Sequence, residues 1–243
     1  MKPERDATNV RFAIRRYDPE RDERPYWQEF PVRVHPGMTV LEGLHQIREE
    51  RDAALVWRSS CRMGVCGSCG MVVNGMPRLA CSTQVLEISR HRLRLEPLWN
   101  FDIVKDLVAD QGPMFAAHAE VQPYLVRAEE SASGADQSEL AQNPEQLIDY
   151  LQFSYCVKCG LCMAACPTVA TDSGYLGPMP LTAAQRYNAD SRDQGAARRR
   201  SRVEQTGGAF HCHYAGECSR VCPKGVDPAR AIQLLKRNLV FPK

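Results

Sequence analysis

Eleven cysteines constrain this chain of 243 residues more than any other feature. They fall in two blocks, Cys61 to Cys81 and Cys156 to Cys222, with none between Cys81 and Cys156, so two separate metal-binding modules are expected. Disulfides are the first reading of so many thiols, and three observations oppose it. The number is odd, and most of the spacings are only two, three or four residues. The segment Met1-Lys2-Pro3-Glu4-Arg5-Asp6 is also too polar for a signal-peptide core. No apolar run reaches the roughly 18 to 20 residues of a bilayer span. A chain made and kept in the cytoplasm is therefore expected. The formal charge of +2, from 31 Lys+Arg against 29 Asp+Glu, gives no reason to expect nucleic acid or an acidic surface as the main partner.

Cys61, Cys66, Cys69 and Cys81 follow C-x4-C-x2-C-x11-C, the plant-type spacing for a 2Fe-2S centre. Gly64, Gly67 and Gly70 lie between them, as a loop needs when it curls its backbone N–H groups toward negatively charged sulfur. Structural zinc is the alternative, but such sites usually pair short C-x2-C knuckles. The second block opens with Cys156, Cys159, Cys162, Cys166 and Pro167. This is the bacterial ferredoxin run, whose fourth cysteine ligates the other cluster. A partner run must therefore exist, and Cys212, Cys218, Cys222 and Pro223 supply it. Overlaying the two puts Ala215 where a cysteine should stand. Crossing the fourth cysteines assigns Cys156, Cys159, Cys162 and Cys222 to a 4Fe-4S centre. It leaves Cys166, Cys212 and Cys218 for a centre short of one thiolate, hence 3Fe-4S. His211 or His213 as a fourth ligand is the open alternative, histidine ligation being known in Rieske centres. Three unlike centres can form a graded electron path. No phosphate loop, nucleophile elbow, zinc-protease helix or covalent-haem motif is present, so the chain reads as an electron-carrying subunit with donor and acceptor elsewhere.

Around the cysteines, Val10, Phe12 and Ile14, and again Phe30, Val32 and Val34, alternate as half-buried strands. Thr39 is a candidate N-cap for a helix burying Val40, Leu41, Leu44 and Ile47. Asn74-Gly75 signals a hairpin between Met71-Val72-Val73 and the residues from Met76, and Leu93 and Leu95 mark a further strand. From Asp102, Ile103, Val104, Leu107 and Val108 fall at helical spacing. Glu129 to Asn143 reads as a polar loop. Asp227 and Pro228 open a last helix with Ile232, Leu235 and Leu239 on one face. The run Arg198-Arg199-Arg200-Ser201-Arg202 reads as a solvated face, with an anionic-lipid or partner contact as the alternative. The expected fold class is α+β: residues 1–105 as a mixed sheet with one helix, then residues 106–243 as an all-helical domain.

The segments RSSCRMGVCGSCGMVVNG (58–75), CVKCGLCMAACP (156–167), RYNADSRD (186–193) and CHYAGECSRVCPKGVDP (212–228) resemble the iron-sulfur subunit of succinate dehydrogenase and fumarate reductase, the respiratory complex II family. The resemblance spans nearly the whole chain and accounts for all eleven cysteines. It implies a plant-type ferredoxin-like (β-grasp) domain followed by an α-helical ferredoxin domain. It implies a flavoprotein partner with covalent FAD, an anchor of one or more membrane subunits, with or without haem, and a quinone beyond the last centre. The chain would then sit on the cytoplasmic face of a bacterial inner membrane without entering it. Quinone contacts carried over from the family fall on Pro167, His213 and Lys236. At Thr171 ubiquinone-reactive members carry a tryptophan; this departure and the RYNADSRD segment favour menaquinone. The alternative is the iron-sulfur subunit of another flavoenzyme, of the thiol-linked fumarate reductase or glycolate oxidase type, although those relatives bring CCG-type segments that this chain lacks.

Overall fold

Alternation of apolar and polar residues gives strand β1 (Thr8–Arg16), which pairs antiparallel with β2 (Tyr26–Val34), Phe12 facing Phe30. The protein is seen here as a computed structural model that describes residues 7–127 and 140–241. Strands β3 (Gly70–Val73) and β4 (Met76–Leu79) form a hairpin. Its turn residues Asn74 and Gly75 both take positive φ, the requirement of the tightest two-residue hairpin. Strand β5 (Arg92–Glu96) runs parallel to β1 and antiparallel to β3, giving the order β2-β1-β5-β3-β4. Helix α1 (Val40–Glu50) opens with a reciprocal capping box between Thr39 and Glu42 and buries Val40, Leu41, Leu44 and Ile47. A Cβ at Gly43 would lie 2.6 Å from the Phe12 ring, so glycine is what lets α1 approach the sheet. Each fully buried large side chain here, Phe12, Ile14, Leu44, Leu93 and Leu95 among them, contributes roughly 1.5 to 3 kcal/mol of transfer free energy. A one-turn helix α2 (Val85–Ile88) precedes β5.

The helical spacing after Asp102 does not produce a helix. Residues there form β6 (Ile103–Lys105) and β7 (Val108–Ala109), a separate two-stranded hairpin. Asp106 explains the difference. It sits in the turn at positive φ, is 2% exposed, and accepts from Arg16 Nε at 2.9 Å and from the N–H groups of Tyr17 and Val56, each at 3.0 Å. A carboxylate satisfied this fully outweighs a weak periodicity, because its burial without those partners would cost several kcal/mol.

The regular elements that follow among the described residues are helices: α3 (Gly112–Glu120), α4 (Pro144–Ser154), α5 (Leu161–Ala164), α6 (Pro167–Thr171), α7 (Pro178–Asn188), α8 (Ala196–Val203), α9 (Glu217–Arg220) and α10 (Pro228–Val240). Asn143 caps α4 and Asp227 caps α10, each with proline at the first turn. Of the expected polar loop from Glu129, residues up to 139 lie outside the described residues. Among the described residues no helix is long and apolar enough to cross a membrane.

The chain divides into two compact units, Met1–Gln111 with Val157–Ala165, and Gly112–Cys156 with Cys166–Lys243. A single cut after residue 105 misses both the hairpin β6–β7, tied back by Asp106, and the segment carrying α5. That segment is held in the first unit by Gln111 Nε2 on Cys159 O (3.2 Å) and Asn100 Nδ2 on Met163 O (2.9 Å). The second unit is centred on α7 and α10, with Leu176, Leu181, Ala184, Val203, Ile232, Leu235 and Leu239 in one core. The arginine run corrects another expectation. Arg198 is exposed, but Arg199 is fully buried, paired with Asp193 at 2.6 Å and donating to the carbonyls of Gln122 and Tyr124. One turn of helix has an inward side, and a charge run gives no sign of which arginine occupies it.

Candidate metal centres

The loop from Cys61 to Gly70 turns on positive φ at Arg62, Gly64 and Gly67. Gly67 has a second constraint, since a Cβ there would meet that of Cys159 at 2.7 Å. The curled backbone aims its N–H groups at sulfur. Cys61 Sγ accepts from Val65 and Cys66 at 3.3 Å and from Met63 at 3.5 Å; Cys66 Sγ accepts from Cys61 at 3.5 Å; Cys81 Sγ accepts from Gly64 at 3.2 Å. The Ser68 hydroxyl lies 3.0 Å from Cys66 Sγ. Hydrogen bonds, led by that of Ser68, bring the Cys66 thiol down to about 6, whereas burial pushes Cys69 up to about 12. A thiol as buried as Cys69 becomes a thiolate readily only beside a compensating cation. With four cysteines in plant-type spacing and N–H donors on the sulfurs of Cys61, Cys66 and Cys81, the residues present fit a 2Fe-2S cluster.

In the second block the two cysteine runs share a backbone. Lys158 and Gly160 take φ of 54° and 80°, Tyr214 and Gly216 take 59° and 77°, and each glycine caps a one-turn helix, α5 or α9. This repeat supports the overlay of Ala215 on Cys159. Cys166, Cys212, Cys218 and Ala215 line one cavity of the second unit, with Pro167, Tyr175 and His213 in its wall. Cys212 Sγ accepts from Tyr214 N–H at 3.4 Å, and burial pushes the Cys218 thiol up to about 11. Three thiols around a cavity, one of them deeply buried, fit an iron-sulfur centre lacking one thiolate. Elsewhere in the same unit, Cys156 and Cys222 each pack against the apolar group of Phe153, Val226 and Ala231. Cys159 and Cys162 lie in the segment that belongs to the first unit. All eleven cysteines are thiols, without disulfides.

Of the other residues singled out by sequence, Pro167 opens α6 and lines the cavity, as does His213. Lys236 Nζ donates to Cys212 O at 2.8 Å, so its ammonium is bound to the backbone of a cavity cysteine. His211 Nε2 lies 2.8 Å from Asp172, and its ring stacks on Tyr175. Thr171 folds its hydroxyl back onto Pro167 O at 3.1 Å. The RYNADSRD segment forms a charge network in which Asp190 holds Arg186 (3.0 Å) and Arg192 (2.8 Å). Sequence reading missed Tyr175, whose hydroxyl interacts with Cys212 and which carries no motif. It also missed Ser68, whose signal was a hydroxyl residue between Cys66 and Cys69, two cysteines of the C-x4-C-x2-C run.

A sheet unit and a helical unit, each lined with cysteines in cluster spacing, define an iron-sulfur electron-transfer protein. Comparison with known proteins sharpens this. Residues 11–116 match the 2Fe-2S iron-sulfur cluster binding domain and residues 152–226 the 4Fe-4S dicluster domain. The fumarate reductase iron-sulfur subunit of Mycobacterium tuberculosis is 44% identical over 239 residues, covering 95% of this chain and 96% of that one. The mitochondrial succinate dehydrogenase (ubiquinone) iron-sulfur subunit of Candida glabrata is 35% identical over 233 residues, covering 95% and 91%. A chain of the Mycobacterium smegmatis Sdh1 complex in the apo form shares the fold, with a TM-score of 0.88 at 22% identity over 98% of both chains. The chain belongs to the family of iron-sulfur subunits of fumarate reductase and succinate dehydrogenase. It acts as the electron-transfer part of a complex II type oxidoreductase.

Proposed function

We propose that the chain carries electrons between the FAD of a flavoprotein partner and a membrane quinone. The route runs through a 2Fe-2S centre on Cys61, Cys66, Cys69 and Cys81, a 4Fe-4S centre on Cys156, Cys159, Cys162 and Cys222, and a 3Fe-4S centre on Cys166, Cys212 and Cys218. The observation that carries this reading is the cavity gathering Cys166, Cys212, Cys218 and Ala215: three thiols and a methyl leave one corner of a cubane without a ligand. The sheet unit reads as a plant-type ferredoxin-like (β-grasp) domain and the helical unit as an α-helical ferredoxin domain. When bound, the clusters supply one-electron transfer at separately set potentials. The chain's own residues neutralise thiolate charge with N–H donors and keep water from Cys69, Cys81 and Cys218.

The quinone end is assigned to Pro167, His213 and Lys236. Phe210 and Tyr214, 54% and 59% exposed, flank Cys212 in sequence and support an apolar neighbour there, an anchor subunit on the cytoplasmic face of a bacterial inner membrane. With a threonine instead of tryptophan at 171, menaquinone is the favoured acceptor. Lys236 uses one N–H on Cys212 O and has two more to offer a quinone oxygen as negative charge develops on it.

In the assembled complex, Lys236→Leu is expected to slow quinone-linked turnover roughly ten- to hundredfold. This is the effect of losing one charge-assisted hydrogen bond of about 1.5 to 3 kcal/mol in the transition state. Succinate oxidation by an artificial acceptor that takes electrons upstream should persist. Equal quinone-linked rates in wild type and variant would remove Lys236 from the site.

A further inference from the structure

The hydrogen bonds around the first loop are unevenly shared. Cys69 and Cys81 are 3% and 8% exposed, while Cys66 lies at the surface of the chain. Among the ligands of that loop, Cys66 has a side-chain hydroxyl at hydrogen-bonding distance, Ser68 Oγ at 3.0 Å. Between a thiol and a hydroxyl either atom could donate. Once Cys66 is a metal-bound thiolate it has no proton left, and Ser68 must be the donor. Ser68 sits between Cys66 and Cys69, both held by the loop, so the donor is positioned before any electron arrives.

We infer that Ser68 sets the potential of the 2Fe-2S centre by donating its hydroxyl proton to the Cys66 thiolate. The physical reason is charge. Reduction adds one electron to a centre already negative, and a donor aimed at a ligand sulfur stabilises the more negative, reduced form by the larger amount. The hydroxyl therefore raises the potential and eases electron entry. Ser68 acts through Cys66 and is a positioning residue. The inference rests on the proposed 2Fe-2S assignment.

The test is a redox titration of the assembled complex, with the 2Fe-2S paramagnetic signal as readout, comparing wild type, Ser68→Ala and Ser68→Thr. Ser68→Ala should shift the oxidised-to-reduced ratio at fixed poise roughly three- to tenfold toward oxidised, tenfold being about 59 mV for a one-electron couple. Ser68→Thr, which keeps a hydroxyl, should stay near the wild-type value. The potentials of the other two centres should not move. An Ala variant titrating with wild type overturns the inference. If Ala loads poorly, Thr and Val at position 68 make the same comparison with matched shape, and equal potentials for that pair overturn it. A wild-type complex with no 2Fe-2S signal would instead refute the underlying cluster assignment.

Discussion

Arg199→Met is expected to destabilise the helical unit by about 3 to 5 kcal/mol, the usual cost of removing one partner from a buried ion pair. Arg199 is 0% exposed, and its guanidinium makes contacts that methionine cannot replace: both oxygens of Asp193 (2.6 and 2.9 Å), Gln122 O (3.1 Å) and Tyr124 O (2.7 Å). Asp193 would be left as an uncompensated buried carboxylate that also holds the N–H groups of Val126 (2.9 Å) and Gly195 (2.7 Å). Denaturant unfolding of the cluster-loaded protein, followed by visible absorption and circular dichroism, measures the loss. The double variant Arg199→Met with Asp193→Asn should recover part of it. A loss under about 1 kcal/mol would show that the pair is dispensable. The pH dependence has a definite sign. Burial alone would raise the Asp193 pKa, but Arg199 and the backbone donors outweigh it and hold the carboxyl below its ordinary value. The stabilisation is thus complete above the ordinary carboxylate range and is lost as pH falls through the lowered native value.

Cys222→Ser should abolish or severely damage the 4Fe-4S centre while sparing the 3Fe-4S centre, although Cys222 is only four residues from Cys218 in sequence. The chain supports this crossing in two ways. Cys222 and Cys156 each pack against the apolar group of Phe153, Val226 and Ala231, whereas Cys218 lines a cavity with Cys166 and Cys212. Paramagnetic spectra of the oxidised and reduced variant decide the matter. Selective loss of the 3Fe-4S signal, with the 4Fe-4S signal intact, would reverse the assignment.

Most of the sheet could be read from the sequence because its signals are local. The alternation in β1 and β2, the Thr39–Glu42 box and Asn74-Gly75 each act within a few residues. What stayed hidden is non-local. Nothing near Asp106 announces that Arg16, ninety positions earlier, will claim it and turn an apparent helical period into a hairpin. Arg199 reads as one of four similar arginines until Asp193 and two carbonyls are brought around it. The candidate ligands were legible because cluster chemistry dictates spacing. The hydroxyls beside them were harder to read: Ser68 has only its place between Cys66 and Cys69 to mark it, Tyr175 has no motif, and both matter through where the loops put them. Lys236 lies between these cases. Its place on the last helix was evident, but its bond to Cys212 O depends on how that helix meets the cysteine loop.

The central claim is that eleven cysteines, with Ala215 at the open corner, hold three unlike clusters. Non-haem iron per chain, determined on the anaerobically purified complex, tests it most directly. About nine irons are expected, as one 2Fe-2S, one 4Fe-4S and one 3Fe-4S centre. A tenth iron would mean that another group fills the corner at Ala215, and two or three zincs in place of iron would contradict the account altogether.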